Sequence, residues 1–273
     1  MKETLNLALL TAGSITHNPV SRYPGIVKLI GPVKAPTFRE ASRAVNALKG
    51  GTAVRSIEEM PSSSLFLLSA PERYVPKLIR DMVEAVPDWR GREVALCSGA
   101  LDSRDLEPLA KRGAHTASIT PLELFDKPVF LVEGHPRAVQ RWRTVLATTR
   151  GRVLDIGVHG LPLFTTASDL TSLILLPLLE AATGSLRRAG IPLADAQKMV
   201  ERMVSRTVRN HVKSGSKTWR VPPHGPSRLR IERQMAALAG TGAKLDAFYQ
   251  DSLEAAIRFM GRTAQPKRKA AGA

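Results

Sequence analysis

The stretch Leu5-Asn6-Leu7-Ala8-Leu9-Leu10-Thr11-Ala12-Gly13-Ser14-Ile15-Thr16 decides how the rest of the chain is read. Its first half, Leu5–Leu10, is an apolar run of strand length, and a glycine follows closely at Gly13. A continuous apolar run suits a strand buried on both faces, as in a parallel sheet covered by helices. Similar short runs recur at Ile26–Ile30, Leu65–Ser69, Val94–Cys97, Ala117–Ile119 and Val129–Val132. Between them lie helix-length amphipathic segments at Thr37–Leu48, Val75–Val86, Asp105–Arg112 and Arg137–Thr149. Thr37 followed three residues later by Glu40 is a capping-box pattern for the first of these. Strand-helix alternation predicts an α/β domain with a parallel sheet and crossover helices, with a mixed α+β sheet as the alternative.

After about residue 160 the strand pattern stops. Helices are expected over Thr165–Ala189, Pro192–Lys213, Ser227–Ala239 and Leu245–Met260. Gly190 closes the first and Pro192 opens the second, the usual asymmetry of helix ends. Pro177 should kink the first helix, because its ring clashes with the preceding turn. The division expected is therefore 1–154 for the α/β domain, 155–262 for an all-helical domain, and 263–273 for a disordered basic tail around Lys267, Arg268 and Lys269.

Composition narrows the class further. Hydrophobic residues make up 43% of the chain, enough for a folded core and too many for a disordered protein. The single cysteine, Cys97, excludes an internal disulfide and a cysteine-based zinc site. The apolar stretch Leu170–Ala182 is interrupted by Thr171, Ser172, Pro177 and Glu180, and is shorter than the ~20 residues of a bilayer span. A soluble, cytoplasmic protein with no membrane partner is expected. The formal net charge of +16 favours anionic partners or ligands.

The loop after the first strand stands where dinucleotide-binding domains carry G-x-G-x-x-G. Only the middle glycine, Gly13, is present, and Thr11 and Thr16 hold the outer positions. Amides of Thr11, Ala12, Gly13, Ser14 and Thr16 are the candidate phosphate donors. Pro19 and Pro24 fall where the next helix should begin, which weakens its N-terminal dipole. Two readings remain open: an intact cofactor loop, or a vestigial loop that only turns the chain. After the second strand the residues are Gly31-Pro32-Val33-Lys34, with no acid before Glu40 to hold ribose hydroxyls. Lys34 and Arg39 suit a 2′-phosphate, so NADP is favoured over NAD if a dinucleotide binds.

Four short segments, in order and spacing, carry a resemblance over nearly the whole chain. They are Leu65-Phe66-Leu67-Leu68-Ser69-Ala70-Pro71, Cys97-Ser98-Gly99-Ala100, Ser118-Ile119-Thr120-Pro121-Leu122 and Gly225-Pro226. The chain resembles a bacterial family that joins a Rossmann-like domain to a helical domain of unknown function, number 2520. That family is related to pyrroline-5-carboxylate reductases and deazaflavin-dependent NADP reductases. The resemblance implies that Ala70, Pro71, Ser98 and Gly99 lie beside the nicotinamide half of the cofactor. It also implies that Asp169 faces the cofactor cleft, as proton donor or substrate anchor, with Lys217 or Arg228 as its cation. The plain alternative for Asp169 is an acid favoured by the dipole of a helix start.

The chain departs from the family at its polar positions. The glycine loop is degraded, Thr120-Pro121 replaces His-Pro, and Ser168-Asp169 replaces Ser-Asn. The Gly-Pro segment continues as Ser227-Arg228-Leu229-Arg230 instead of reaching Arg-Gly-Asp. Altered chemistry and lost chemistry both fit.

Lys198, Arg202, Arg206, Arg209 and Lys213 recur at spacings of four, four, three and four, which places them within an arc of ~80° on one helix. Val200, Val204, Val208 and Val212 fall on a separate face. A one-sign stripe hints at an anion, since like charges at i,i+4 repel. Nucleic acid is disfavoured because only Trp219 is available to stack on bases. Metal binding has no helical His pair to support it, and neither a G-x-S-x-G elbow nor a Walker loop is present.

The leading reading is an NADP-dependent oxidoreductase whose small substrate lies between the two domains, with Asp169 and Ser98 as candidate catalytic residues. The rival is a non-catalytic descendant, without a cofactor, that binds an anionic ligand or partner through its basic helical domain. The apolar helix Thr165–Ala189 should be buried in its own domain or against a second subunit, giving a homodimer through the helical domain.

Overall fold

The computed structural model describes residues 6–13, 19–60, 63–122, 126–157, 160–218, 228–238 and 243–263. The expected basic tail, Ser14, Thr16, Trp219 and the Gly225-Pro226 segment lie outside them. The chain divides into two compact units, Met1–Ser168 and Asp169–Ala273.

The first unit is built on one sheet of eight strands: β1 (Leu7–Thr11), β2 (Ile30–Lys34), β3 (Thr52–Ala53), β4 (Leu65–Ser69), β5 (Glu93–Leu96), β6 (His115–Leu122), β7 (Val129–Gly134) and β8 (Arg152–Asp155). Their spatial order is β3-β2-β1-β4-β5-β6-β7-β8. The first six pair in parallel, β7 runs antiparallel to β6, and β8 is parallel to β7. The α/β expectation holds, and the order of the six parallel strands is that of a dinucleotide-binding fold.

Alternate side chains of each strand feed opposite faces. Leu7 and Leu9 pack with Ala44 and Leu48 of α2 (Phe38–Leu48) and with Trp142, Val145 and Leu146 of α5 (Pro136–Ala147). Ala8 and Leu10 pack with Leu78, Ile79 and Met82 of α3 (Val75–Ala85) and with Leu109 of α4 (Glu107–Ala110). Burial on both faces explains why these strands read as apolar runs rather than alternating ones. Thr37 caps α2 as expected: its hydroxyl accepts from the Glu40 amide at 3.2 Å, and its amide donates to the Glu40 carboxylate at 3.0 Å.

Some expectations need correction. The run Ile26–Ile30 is not a strand: Pro24 starts a short helix, α1 (Pro24–Val27), and the strand begins at Ile30. Gly31 and Pro32 belong to β2 because the register slips there, with Leu7 opposite Ile30 but Leu9 opposite Val33. Such a bulge accommodates a residue with no amide hydrogen. The two-residue β3 and the four-residue β8 were not expected, because each is too short to carry a pattern in the sequence. Asp105–Arg112 is a 3₁₀ turn (Ser103–Leu106) followed by the single-turn α4.

The helix expected over Thr165–Ala189 is two helices, α6 (Gly160–Thr171) and α7 (Leu175–Arg188). Pro177 cannot donate to the Leu173 carbonyl, and the break falls at 172–174, the turn that its ring would crowd. An 18-residue window within the 29-residue stretch Gly160–Arg188 has a mean hydropathy of 1.4, so by length and composition the stretch is long and apolar enough to cross a bilayer, although Leu170–Ala182 alone is too short. Nor is it buried: Leu163, Leu170, Leu173, Ile174, Leu176 and Leu178 are all exposed, Leu163 by 72%.

The second unit continues with α8 (Leu193–Ser214), α9 (Arg228–Leu238) and α10 (Ala243–Thr263). Helix α7 packs on α8, and α9 on α10. The five basic residues of the α8 stripe are exposed. Its valine face is buried only at the start: Val200 is 5% exposed, whereas Val208 and Val212 are 54% and 80% exposed.

Candidate functional site

β1 is hydrogen-bonded to β2 on one edge and to β4 on the other, and the chain leaves β2 and β4 towards opposite faces of the sheet. This switch of direction opens a crevice at the carboxyl ends of the strands, where ligands bind in open α/β sheets. Thr11 pairs with Ser69, and the Cys97 amide bonds to the Leu68 carbonyl at 2.8 Å, so the ends of β1, β4 and β5 are level.

Backbone and small side chains make the crevice. Thr11, Ala12, Ser69 and Ser98 are buried beneath it, and Gly13, Pro71 and Gly99 are exposed at its rim, with Ala70 half-buried between. Gly13 has φ +74°, a conformation that favours glycine. A Cβ there would lie 3.5 Å from Pro71 Cγ, so the loop after β1 and the loop after β4 sit side by side. A Cβ at Gly99 would meet nothing within 4 Å, which leaves open space beside the end of β5. The structure thus brings together Thr11, Ala12, Gly13, Ala70, Pro71, Ser98 and Gly99.

Ser98 mainly holds its own turn. Its hydroxyl oxygen accepts from the amides of Ala100 at 3.3 Å and Leu101 at 3.2 Å, and its carbonyl accepts from Thr120 Oγ1 at 3.2 Å. The hydroxyl proton is not used in these bonds, so the group keeps one donor. Thr120, noted in the sequence only as a departure from His-Pro, ties the end of β6 to that of β5. Cys97 is inert here: burial pushes its thiol up to about 11.

Among the described residues after the loop, Pro19–Arg22 form a 3₁₀ turn and Pro24 opens α1, in line with the expectation from these prolines. α1 is a single turn of four residues and carries no macrodipole of useful length.

Lys34 ends β2, and its ammonium donates to the Ala35 carbonyl. It borders an open cavity of about 370 Å³ shared with Arg55, Glu58, Asp81 and Glu84. The guanidinium of Arg55 stacks on the Phe38 ring at 4.4 Å. Hydrogen bonds from its own backbone amide and from Ser56 hold the Glu58 carboxyl below its ordinary range, and Lys34 adds attraction. The charge beyond β2 is therefore mixed rather than purely basic.

Asp169 belongs to α6 and is exposed. It stands in the last turn of that helix, not the first, which removes the dipole explanation for its presence. Among the described residues it forms no ion pair, so the cation expected from Lys217 is absent; the Arg228 side chain lies outside the described set. Among the described residues no group of three His, Cys, Asp or Glu side chains converges on a metal position.

No protein-family model matches the chain, and no curated protein matches it by sequence. Solved structures do match along nearly its whole length. An imine reductase from Aspergillus terreus, solved with NADPH4 and dibenz[c,e]azepine, has a TM-score of 0.68 at 14% identity over 96% of either chain. An imine reductase from Bacillus cereus gives 0.65 at 15% identity over 93% of this chain and 94% of its own. A variant imine reductase from Myxococcus stipitatus in complex with NAD+ gives 0.68 at 14% identity over 97% and 100%. At such identities the likeness is one of fold: a Rossmann-type sheet followed by a helical region.

The geometry at Gly13 separates strain from ligand contact. Gly13→Val should lower the melting temperature, because a left-handed φ costs a β-branched residue ~1–2 kcal/mol. Asn tolerates that conformation, so Gly13→Asn should melt near the parent while its side chain fills the crevice. Loss of NADPH binding in folded Gly13→Asn, measured by calorimetry, is the expected result. Unchanged affinity would mean that the loop only turns the chain.

Proposed function

We propose that the chain is an NADP-dependent oxidoreductase acting on a small substrate held between its two units. The observation that carries this reading is the crevice at the β1/β4 switch point, with Gly13 at φ +74° beside Pro71. The solved structures with the same fold, described as imine reductases and holding NADPH4 or NAD+, support it. So does the segment-by-segment resemblance to the family with the helical domain of unknown function 2520 and its reductase relatives.

The residues fit a nicotinamide dinucleotide. The amides of Ala12 and Gly13 would hold the pyrophosphate, with no Cβ at Gly13 to obstruct it, and Ser14 and Thr16 are proposed to join them. The open space at Gly99 and the apolar ring of Pro71 suit the nicotinamide ring. When bound, such a cofactor supplies a hydride to an electrophilic carbon of the substrate. Reduction then needs a proton at the neighbouring heteroatom. Asp169 is the proposed donor or substrate anchor, and the Ser98 hydroxyl, whose proton the turn does not use, is the second candidate. At the other end Lys34, with Arg39 and Arg55, favours a 2′-phosphate over a bare ribose.

The apolar surface of α6 and α7 supports a homodimer through the helical unit. Covering one exposed leucine is worth ~1.5–3 kcal/mol, and several are grouped here. A second copy suits this stretch better than lipid, because Asp169, Glu180 and Pro177 interrupt it and a carboxylate at a bilayer centre is costly.

Three measurements test these points. NADPH should bind about tenfold more tightly than NADH, and Lys34→Asp should erase the difference. Tighter NADH binding would sink the NADP assignment, and binding of neither at millimolar concentration would leave the non-catalytic reading. Asp169→Asn should cut turnover with a screened imine or carbonyl substrate by more than about tenfold with the melting temperature unchanged; full activity would remove Asp169 from the site. Sedimentation velocity without detergent should show a dimer, and a monomer or a detergent requirement would overturn that part.

A further inference from the structure

The dinucleotide reading makes no use of the basic row of α8. Lys198, Arg202, Arg206, Arg209 and Lys213 are all exposed, and among the described residues none of them is held in an ion pair. The row runs ~22 Å along the helix. The acids of α8 do not balance it: Asp195 stands in the first turn, before the row begins, and Glu201 lies ~60° off its edge. The surplus continues along the sequence, with ten Lys or Arg from Lys198 to Arg233 against Glu201 and Glu232. Like charges at i,i+4 repel, so the row costs stability until an anion meets it.

Apolar side chains border the row. By helical position Val212 and Val208 lie ~40° and ~80° beyond one edge, and Met199 and Met203 ~20° and ~60° beyond the other. Val212 is 80% exposed and Met203 52%. From Arg206 to Ser214 every residue of α8 is exposed, so the last two turns are covered on no side.

Charge and apolar surface together select the partner. A phosphodiester backbone would use the cations but leave the valines and methionines in water, and α8 has no aromatic side chain to stack on bases. A docking helix wants apolar residues at the centre of the contact and charges at its flanks, the reverse of this arrangement. We propose that this face of α8 docks on an anionic phospholipid surface, with the five cations among the headgroup phosphates and Val208 and Val212 entering between them. Groups of about four to eight Lys or Arg on an amphipathic helix are the usual footprint of such binding. The contact is peripheral and needs no spanning segment. It departs from the expectation of no membrane partner, which rested on spanning length alone. It also uses a different surface from the one on α6 and α7 assigned to a second copy.

Cosedimentation of the full-length protein with vesicles tests this, using phosphatidylcholine alone and an equal mixture with phosphatidylglycerol at ~0.1 M salt. The protein should bind the mixed vesicles saturably, and the neutral ones at least about tenfold more weakly. Each cation near an anionic surface contributes about fivefold, so Arg202→Gln, Arg206→Gln and Arg209→Gln together should weaken binding by about a hundredfold. Gln is a good helix former and keeps α8 intact. Lys198→Gln with Lys213→Gln, at the ends of the row, should weaken it by about tenfold or more. A control triple in the first unit, Lys28→Gln, Arg43→Gln and Arg80→Gln, removes the same charge from exposed positions and should change binding by less than about threefold. Val208→Ser with Val212→Ser should weaken vesicle binding by about threefold or more. Failure to bind the mixed vesicles, equal binding to the neutral ones, or an equal loss in the control triple would each overturn the proposal. So would indifference to the valine pair, or tighter binding of a duplex oligonucleotide than of the mixed vesicles.

Discussion

Strand β1 is paired on both edges, and everything else in the first unit follows from how its neighbours are reached. The chain goes first to β2 and β3 on one side, then crosses to β4, β5 and β6 on the other. Right-handed crossovers then place α2 on one face and α3 on the other. The helices diverge at one point only, and the loops after β1 and β4 border the gap. A crevice at that place is a consequence of connectivity, independent of which side chains line it.

That independence explains how the glycine pattern could erode while the fold persisted. Three glycines in a standard loop serve the turn, the approach of phosphate and the packing of the next helix. Among the described residues the next α-helix is a single turn, which leaves little helix to pack against the loop, and Gly13 has the left-handed backbone. Buried polar groups nearby are tied to structure. Glu133 accepts from Ser103 N, Ser103 Oγ and Ser118 Oγ at 2.8, 2.7 and 2.5 Å, fastening antiparallel β7 to the parallel sheet.

The helical unit follows a different physical rule. Its apolar residues are abundant, but a pair of helices offers each of them only one neighbour. Leucines of α6 and α7, Met199 and Met203 of α8 and the late valines of α8 therefore remain exposed in the single chain. The basic stripe of α8 shares this helix with the exposed apolar face, so charge and apolar surface lie on different sides of one rod.

By itself the sequence determined the class and most of the elements. Apolar runs of strand length, the Thr37–Glu40 box, Pro192 and Gly190 are local signals, and local physics was enough to place β4, α2, α3 and α8 within a residue or two. The weak loop helix was legible too, from Pro19 and Pro24. Tertiary structure alone decided the rest. The Gly31-Pro32 bulge depends on register with β1, and β3 and β8 exist only as partners of neighbouring strands. Ser98 was legible as a turn residue, but its bonds to Ala100 and Leu101 were not. The cluster of Glu93, His115, His135 and Arg137 draws on β5, β6 and α5, and nothing in its spacing along the chain announces it. Cross-strand register brings Glu93 to His115, and the antiparallel return of β7 carries His135 and Arg137 back to the same edge. Side chains far apart in sequence meet only when a sheet closes the distance.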